Sequence, residues 1–247
     1  MATDFSAAVP DRVRAASAWV AERAHSVTIA AGLTERFRAR GAWSAVELTG
    51  LAAEDVAAVL GQDPEHPLMA RYAASLRDVG EHVLADHGGS FEAVVEAAGG
   101  SAVALADLLA GWVAFADVST YEGQPVPFYK RAQIAAADVN RGGVAALVDE
   151  GRLTAFADNL VPHVLRLDGV LRLDPALARS IDAGDLLDHG SREEVELRAC
   201  AVHAIELLSA ASAERLSPAE IDAALWNRGR GGRYKAVPRP RSRNTAY

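Results

Sequence analysis

Apolar residues recur along most of this chain at intervals of three and four, the spacing that gives a helix one buried face. Val13, Ala16, Val20 and Ala24 follow this rule behind Pro10-Asp11, where Asp11 or its neighbour can cap a first helix. Thr49, with Glu54 and Asp55 ahead of Val56, Val59 and Leu60, reads as a second start signal. Over 68–84, Leu68, Tyr72, Leu76, Val79, Val83 and Leu84 share a face, and His87-Gly88-Gly89 supplies a terminator. Ser90 opens a segment over 90–95 that stops at Gly99-Gly100, and further helical stripes cover 101–112, 130–139 and 193–208. Ser217-Pro218-Ala219-Glu220 predicts a capped start for the last helix, with Pro218 in its first position and Glu220 closing a capping box. Strand candidates are few. Two prolines in Glu122-Gly123-Gln124-Pro125-Val126-Pro127 predict a loop that delivers Phe128 to a helix. The expected fold class is all-α.

Composition narrows the picture. With 247 residues, half of them apolar, the chain can bury a full core. The expected layout is one compact helical domain over 1–227, or two closely packed lobes divided near 118–127, followed by a basic arm over 228–247. A single cysteine excludes a disulfide scaffold, and Cys200, flanked by alanines in a helical run, reads as a small buried hydrophobe. The amino terminus lacks a charged leader with a long apolar core, and no run approaches the roughly 20 apolar residues of a membrane span. The expectation is a cytoplasmic protein with no membrane partner. A net charge of -8 argues against a broad nucleic-acid surface, so no stable nucleic-acid complex is expected. The charge is uneven, however: no acidic residue follows Asp222, while Arg228, Arg230, Arg233, Lys235, Arg239, Arg241 and Arg243 do.

Two segments carry candidate chemistry. Phe128-Tyr129-Lys130-Arg131-Ala132-Gln133 sets a lysine, and Leu153-Thr154-Ala155-Phe156-Ala157-Asp158-Asn159-Leu160-Val161-Pro162-His163 a carboxylate, on successive apolar stretches. Charges among apolar side chains are paired, kept at the surface, or retained for chemistry. On a helix from Lys130, Ile134 and Ala137 share its face and Asp138 lies beside it. From the residues alone, Lys130 is either a snorkelling helix-start lysine or a site residue. Glu196 and Arg198 form an internal ion pair, face solvent, or bind a ligand, and being two apart on a helix they do not face each other. Glu194 and Glu206 read as solvated. Phe128, Tyr129 and Phe156 are core aromatics or stack on a planar ligand. His163 is a helix-start residue or a base contact. The remaining histidines show no paired spacing and no cysteine neighbours, so neither a metal nor an organic cofactor is expected.

These segments also carry a resemblance. Tyr121-Glu122-Gly123, then Phe128-Tyr129-Lys130-Arg131-Ala132-Gln133-Ile134 with Ala137-Asp138, then Phe156-Ala157-Asp158 with Val161-Pro162, resemble the queuosine salvage protein family. Glu194-Val195-Glu196-Leu197-Arg198-Ala199-Cys200, Ile205-Glu206-Leu207, Leu225-Trp226 and the closing Arg241-Ser242-Arg243 and Tyr247 continue the same order over roughly 66–247. The resemblance implies a helical fold related to helix-hairpin-helix DNA glycosylases and hydrolysis of queuosine 5′-monophosphate to free queuine. It implies Asp158 as the catalytic aspartate and Lys130 as the lysine that accompanies it. Arg241, Arg243 and Tyr247 match the family's end and are candidates for the phosphate; Phe128, Tyr129, Phe156, Asn159, His163, Glu196 and Arg198 are candidates for the rest of the substrate. The interval 38–67 is short against the family, with Trp43 its sole tryptophan. Asn159-Leu160 stands for a usual Tyr-Arg, and Pro240 for a histidine. The implied protein is a monomer or weak dimer acting on a small nucleotide. Two other readings stay open: a nucleosidase for a different base, and a non-catalytic helical module that binds a nucleotide or RNA through its basic arm.

Overall fold

The computed structural model describes residues 29–245, so the first predicted helix and Tyr247 lie outside the described residues. Helices dominate, as their apolar periodicity predicts, and one two-stranded sheet occurs among the described residues. In chain order the helices are α1 Ile29–Arg40, α2 Ala45–Thr49, α3 Ala53–Leu60, α4 Pro67–His87, α5 Phe91–Ala97 and α6 Ala102–Ala110. After the strands β1 Val118–Tyr121 and β2 Gln124–Pro127 come α7 Lys130–Arg141, α8 Leu160–Leu167, α9 Pro175–Ala183, α10 Arg192–Ala211, α11 Pro218–Gly229 and α12 Gly232–Lys235.

Local capping sets most of these boundaries. The side chains of Ser90, Ser101 and Ser217 each accept a backbone N–H of the first turn they precede, and Glu220 completes the capping box at α11. Thr49 is a different case: it ends the short α2, which Ser44 and Glu47 cap, and α3 begins behind Ala52 with Asp55 accepting the Ala52 N–H at 2.8 Å. The start signal belonged to Asp55 alone.

The expected loop at 122–127 is in fact half a hairpin. Glu122 and Gly123, with φ of 49° and 78°, form the tight turn that matches the twist of paired strands. Tyr121 pairs with Gln124, Thr120 with Pro125, Ser119 with Val126 and Val118 with Pro127. Hydrogen-bonded pairs alternate outward from the turn, so both prolines occupy positions where an N–H would point away from β1. Two prolines at even spacing are therefore compatible with this edge strand.

The chain divides into two units, one over 1–43 and 51–73, the other over 44–50 and 74–247. In the first, Gly32 on α1 meets α3 so closely that an added Cβ would lie 2.2 Å from the Val59 carbonyl oxygen. In the second, one core gathers Val83, Val94, Leu105, Leu109 and Phe156 around Ala132, Ala136 and Ala137, the small residues by which α7 lies against α6. A second core packs Val161 and Leu165 of α8 with Ala201 and Ile205 of α10. The crossing of α8 and α11 depends on Gly229, where a Cβ would come within 2.8 Å of Val164 and 2.9 Å of Leu160. Cys200 is exposed rather than buried. The residues after α12 fold back on this unit: the Leu187 N–H donates to the Arg241 carbonyl at 2.8 Å, and Leu187 bridges to Ser242.

Candidate active site

The hairpin and the turn after it prepare the start of α7. Asp117 accepts the Phe128 and Tyr129 N–H groups on its carbonyl at 2.9 and 3.2 Å, and the Lys130 N–H on its carboxylate at 3.3 Å. Those bonds hold Tyr129 in the left-handed region, φ 45°, a strained conformation for a non-glycine residue. The Asp117 carboxylate is itself gripped by the Arg198 guanidinium, at 3.0 and 2.5 Å, with both side chains almost fully buried. Phe128 lies against that guanidinium, 4.0 Å from its ring centre.

The segment 153–158 is tied down residue by residue. Gln133 of α7 exchanges hydrogen bonds with Thr154, and the Phe156 N–H donates to Asp222 of α11 at 3.0 Å. The Ala157 carbonyl accepts from Arg198 Nε at 2.9 Å. Asp158 then accepts the Leu160 and Val161 N–H groups at 3.0 and 2.8 Å, capping α8 with its own carboxylate. Thr154, Phe156, Ala157 and Asp158 are thus each anchored by a hydrogen bond.

Lys130, Asp158 and Trp226 border two cavities. The larger, about 780 Å³, is also lined by Arg230, Lys235, Arg239 and Arg241. The smaller, about 470 Å³, is lined by Phe156, Asp138, Arg141 and Asp222. Burial pushes the Asp158 carboxyl up, opposed by the Lys130 charge, its two backbone donors and Arg239. Burial pushes the Lys130 ammonium down, opposed chiefly by Asp158. Asp222, 4% exposed, is raised to about 7 by burial and by the like charge of Asp158, against the Phe156 N–H and Lys130. A lysine and two carboxylates are thus held where water is scarce, each biasing the others.

Of the candidates read from sequence, the structure brings together Lys130, Asp158, Asn159, Phe156 and Arg241 at these cavities. Asn159 also donates to the Pro240 carbonyl at 2.9 Å, and Arg241 to the Gly184 carbonyl at 2.6 Å, so both hold the returning carboxyl-terminal segment. Phe128 and Arg198 lie beneath the site as the internal pair with Asp117, and Tyr129 packs against the first core. Glu196 faces the hairpin, accepting from the Tyr121 hydroxyl at 2.6 Å and Arg192 at 2.8 Å, which lowers its carboxyl. His163 is buried and its Nε2 donates to the Tyr234 carbonyl at 2.9 Å. Arg243 lines neither cavity. Glu194, expected in solvent, is 1% exposed beside Arg198.

Asp222 and Trp226 are site residues that carried no assigned role in the sequence reading. The available signal was positional: Asp222 follows Ala219 at three residues and precedes Gly229 at seven, all three buried, so an acid interrupts the inward face of α11. No group of three or more His, Cys, Asp or Glu placed to share a metal ion occurs among the described residues.

A family described as queuosine salvage protein matches residues 13–247. A protein of Sphaerobacter thermophilus named queuosine 5′-phosphate N-glycosylase/hydrolase is 38% identical over 208 residues, covering 81% of this chain and 64% of that protein. A Mus musculus protein of the same name is 33% identical over 198 residues, covering 73% of this chain and 59% of its own length. The chain thus spans about three-fifths of the length of these relatives.

Proposed function

The chain belongs to the queuosine salvage protein family, and from that premise we propose that it hydrolyses the N-glycosidic bond of queuosine 5′-phosphate or a close 7-deazaguanine nucleotide, releasing the free base. The observation that carries this reading is that Asp158 and Lys130 line both a cavity bearing Arg230, Arg239 and Arg241 and a smaller one bearing Phe156, Asp222 and Arg141. A nucleotide has matching ends. Its phosphate suits the guanidinium groups of Arg230, Arg239 and Arg241. Its planar base suits Trp226 and Phe156, and the ribose then crosses the boundary at Asp158 and Lys130.

As the base departs, positive charge develops on the ribose carbon that held it, and a carboxylate already fixed beside that carbon stabilises the charge without reorganising. The two backbone donors on Asp158 supply that fixity, and the amino-terminal end of α8 favours its ionised form. The same carboxylate accepts the proton of the water that attacks the ribose carbon. Lys130 is the strongest of the groups that favour the charged form of Asp158 against its burial.

The purified full chain is expected to release free base from queuosine 5′-phosphate, followed chromatographically, and to do so more efficiently than from the unphosphorylated nucleoside. Failure to release base from any 7-deazaguanine or purine nucleotide, with nucleotide binding intact, would favour a non-catalytic helical binding module instead.

A further inference from the structure

The reaction just described leaves one requirement unmet: the departing base must take up a proton. A 7-deazaguanine lacks the imidazole-type ring nitrogen on which ordinary purines are protonated as they leave, so the enzyme has to deliver the proton to another atom of the base. The donor must therefore sit on the base side of Asp158, protonated and out of bulk water.

The charged groups around the smaller cavity can be compared on geometry. Asp158 is fixed as an acceptor by two backbone N–H groups. Asp138 is exposed to solvent, and Arg141 is held by Glu150 at 2.7 Å. Lys130 borders both cavities and faces Asp158. Asp222 borders only the smaller one, is buried, and has one carboxyl oxygen fixed by the Phe156 N–H at 3.0 Å. That bond orients the carboxyl group toward the hydrogen-bonded segment that carries Asp158.

We propose that Asp222 is the general acid of the reaction, donating its carboxyl proton to a nitrogen or oxygen of the departing base. In this step the Asp222 O–H bond breaks and its proton passes to the base, which keeps the electron pair of the glycosidic bond. The water oxygen bonds to the ribose carbon and its proton passes to Asp158. Exchange with solvent then returns Asp222 to its acid form and Asp158 to its carboxylate. The role rests on the hydrolase reading above. Asp158, Lys130 and Arg141 are the charged groups around Asp222; burial first, and then the like charge of Asp158, raise its carboxyl to about 7, against the Phe156 N–H, Lys130 and Arg141.

The test is the pH dependence of kcat for queuosine 5′-phosphate in the wild type, Asp222→Asn and Asp222→Glu, with circular dichroism to confirm folding. Wild-type kcat is expected to fall as pH rises through about 7, where the donor loses its proton. Asp222→Asn is expected to lose about 10²–10⁴-fold in kcat, to keep KM within about threefold, and to show no alkaline fall in its residual rate. Asp222→Glu, which retains a carboxyl, is expected to recover part of the rate with the fall displaced. A wild-type profile flat from pH 6 to 8 overturns the assignment without reference to any variant. An Asp222→Asn enzyme within tenfold of wild type, or one that keeps the wild-type fall, also overturns it while leaving the hydrolase reading standing. No base release by the wild type overturns both.

Discussion

Replacing Arg198 with methionine tests whether the floor of the site is a structural ion pair. The substitution keeps most of the side-chain stem and removes the guanidinium. Asp117 would then be buried with the Lys130 N–H, at 3.3 Å, in place of a bidentate grip at 3.0 and 2.5 Å. Breaking a buried pair in this way costs about 3–5 kcal/mol, because the surviving charge is left uncompensated. The Ala157 carbonyl also loses its 2.9 Å donor, and Phe128 its stacked cation, each adding on the order of 1 kcal/mol. Urea unfolding of the full chain, followed by circular dichroism, should therefore show Arg198→Met less stable by about 5–7 kcal/mol. Combining it with Asp117→Asn should recover at least about 1 kcal/mol relative to the sum of the single changes. A single-variant loss under about 1 kcal/mol, or strict additivity in the double variant, refutes the reasoning. Activity should fall as well, because Ala157 precedes Asp158.

Two further outcomes are expected. Arg239 lines the larger cavity and is one of the groups that oppose the upward push of burial on the Asp158 carboxyl; Arg239→Ala should raise KM for the phosphorylated substrate about tenfold or more, the worth of a charge-assisted contact, and leave the nucleoside nearly unchanged. An equal effect on both would remove the phosphate assignment. His163 Nε2 carries the proton it donates to Tyr234, and its buried Nδ1 has no hydrogen-bond partner among the described residues, so burial depresses its pKa below the ordinary value of 6.5. The unfolded chain then binds more protons in acid, and the folded state loses stability as pH falls below about 6.5, levelling off below the depressed folded value. In His163→Asn, urea midpoints between pH 7 and 5 should change less than in the wild type; the same slope in both would contradict this.

The parts of the fold legible in the sequence are those written within a few residues. Ser90, Ser101 and Ser217 cap the helices they precede because capping is a contact over three residues. Thr49 misled because a capping residue and a helix-ending residue look alike when the next helix starts four residues on. The proline pair at Pro125 and Pro127 was compatible with a strand only given the register that places both at non-hydrogen-bonded pairs, opposite Thr120 and Val118.

The site was legible to the same depth. Lys130 and Asp158 stood out as charges in apolar stretches, and the structure brings both to the same two cavities. The partner of Arg198 lies 81 residues away at Asp117, and that of Phe156 lies 66 residues away at Asp222, separations over which no local pattern reports. Asp222 lies in a strongly capped amphipathic helix, where one acid among alanines differs from a surface residue only once the packing of α11 is known.

The most direct test of the whole account is the rate of base release from queuosine 5′-phosphate by Asp158→Asn against wild type. The variant keeps an acceptor oxygen for the Leu160 and Val161 N–H groups, so circular dichroism and substrate affinity should be close to wild type. The negative charge is lost, and kcat should fall by about 10³-fold or more, the worth of a preorganised charge and a general base together. A folded Asp158→Asn protein that releases base within tenfold of the wild-type rate would contradict the placement of the reacting bond at Asp158.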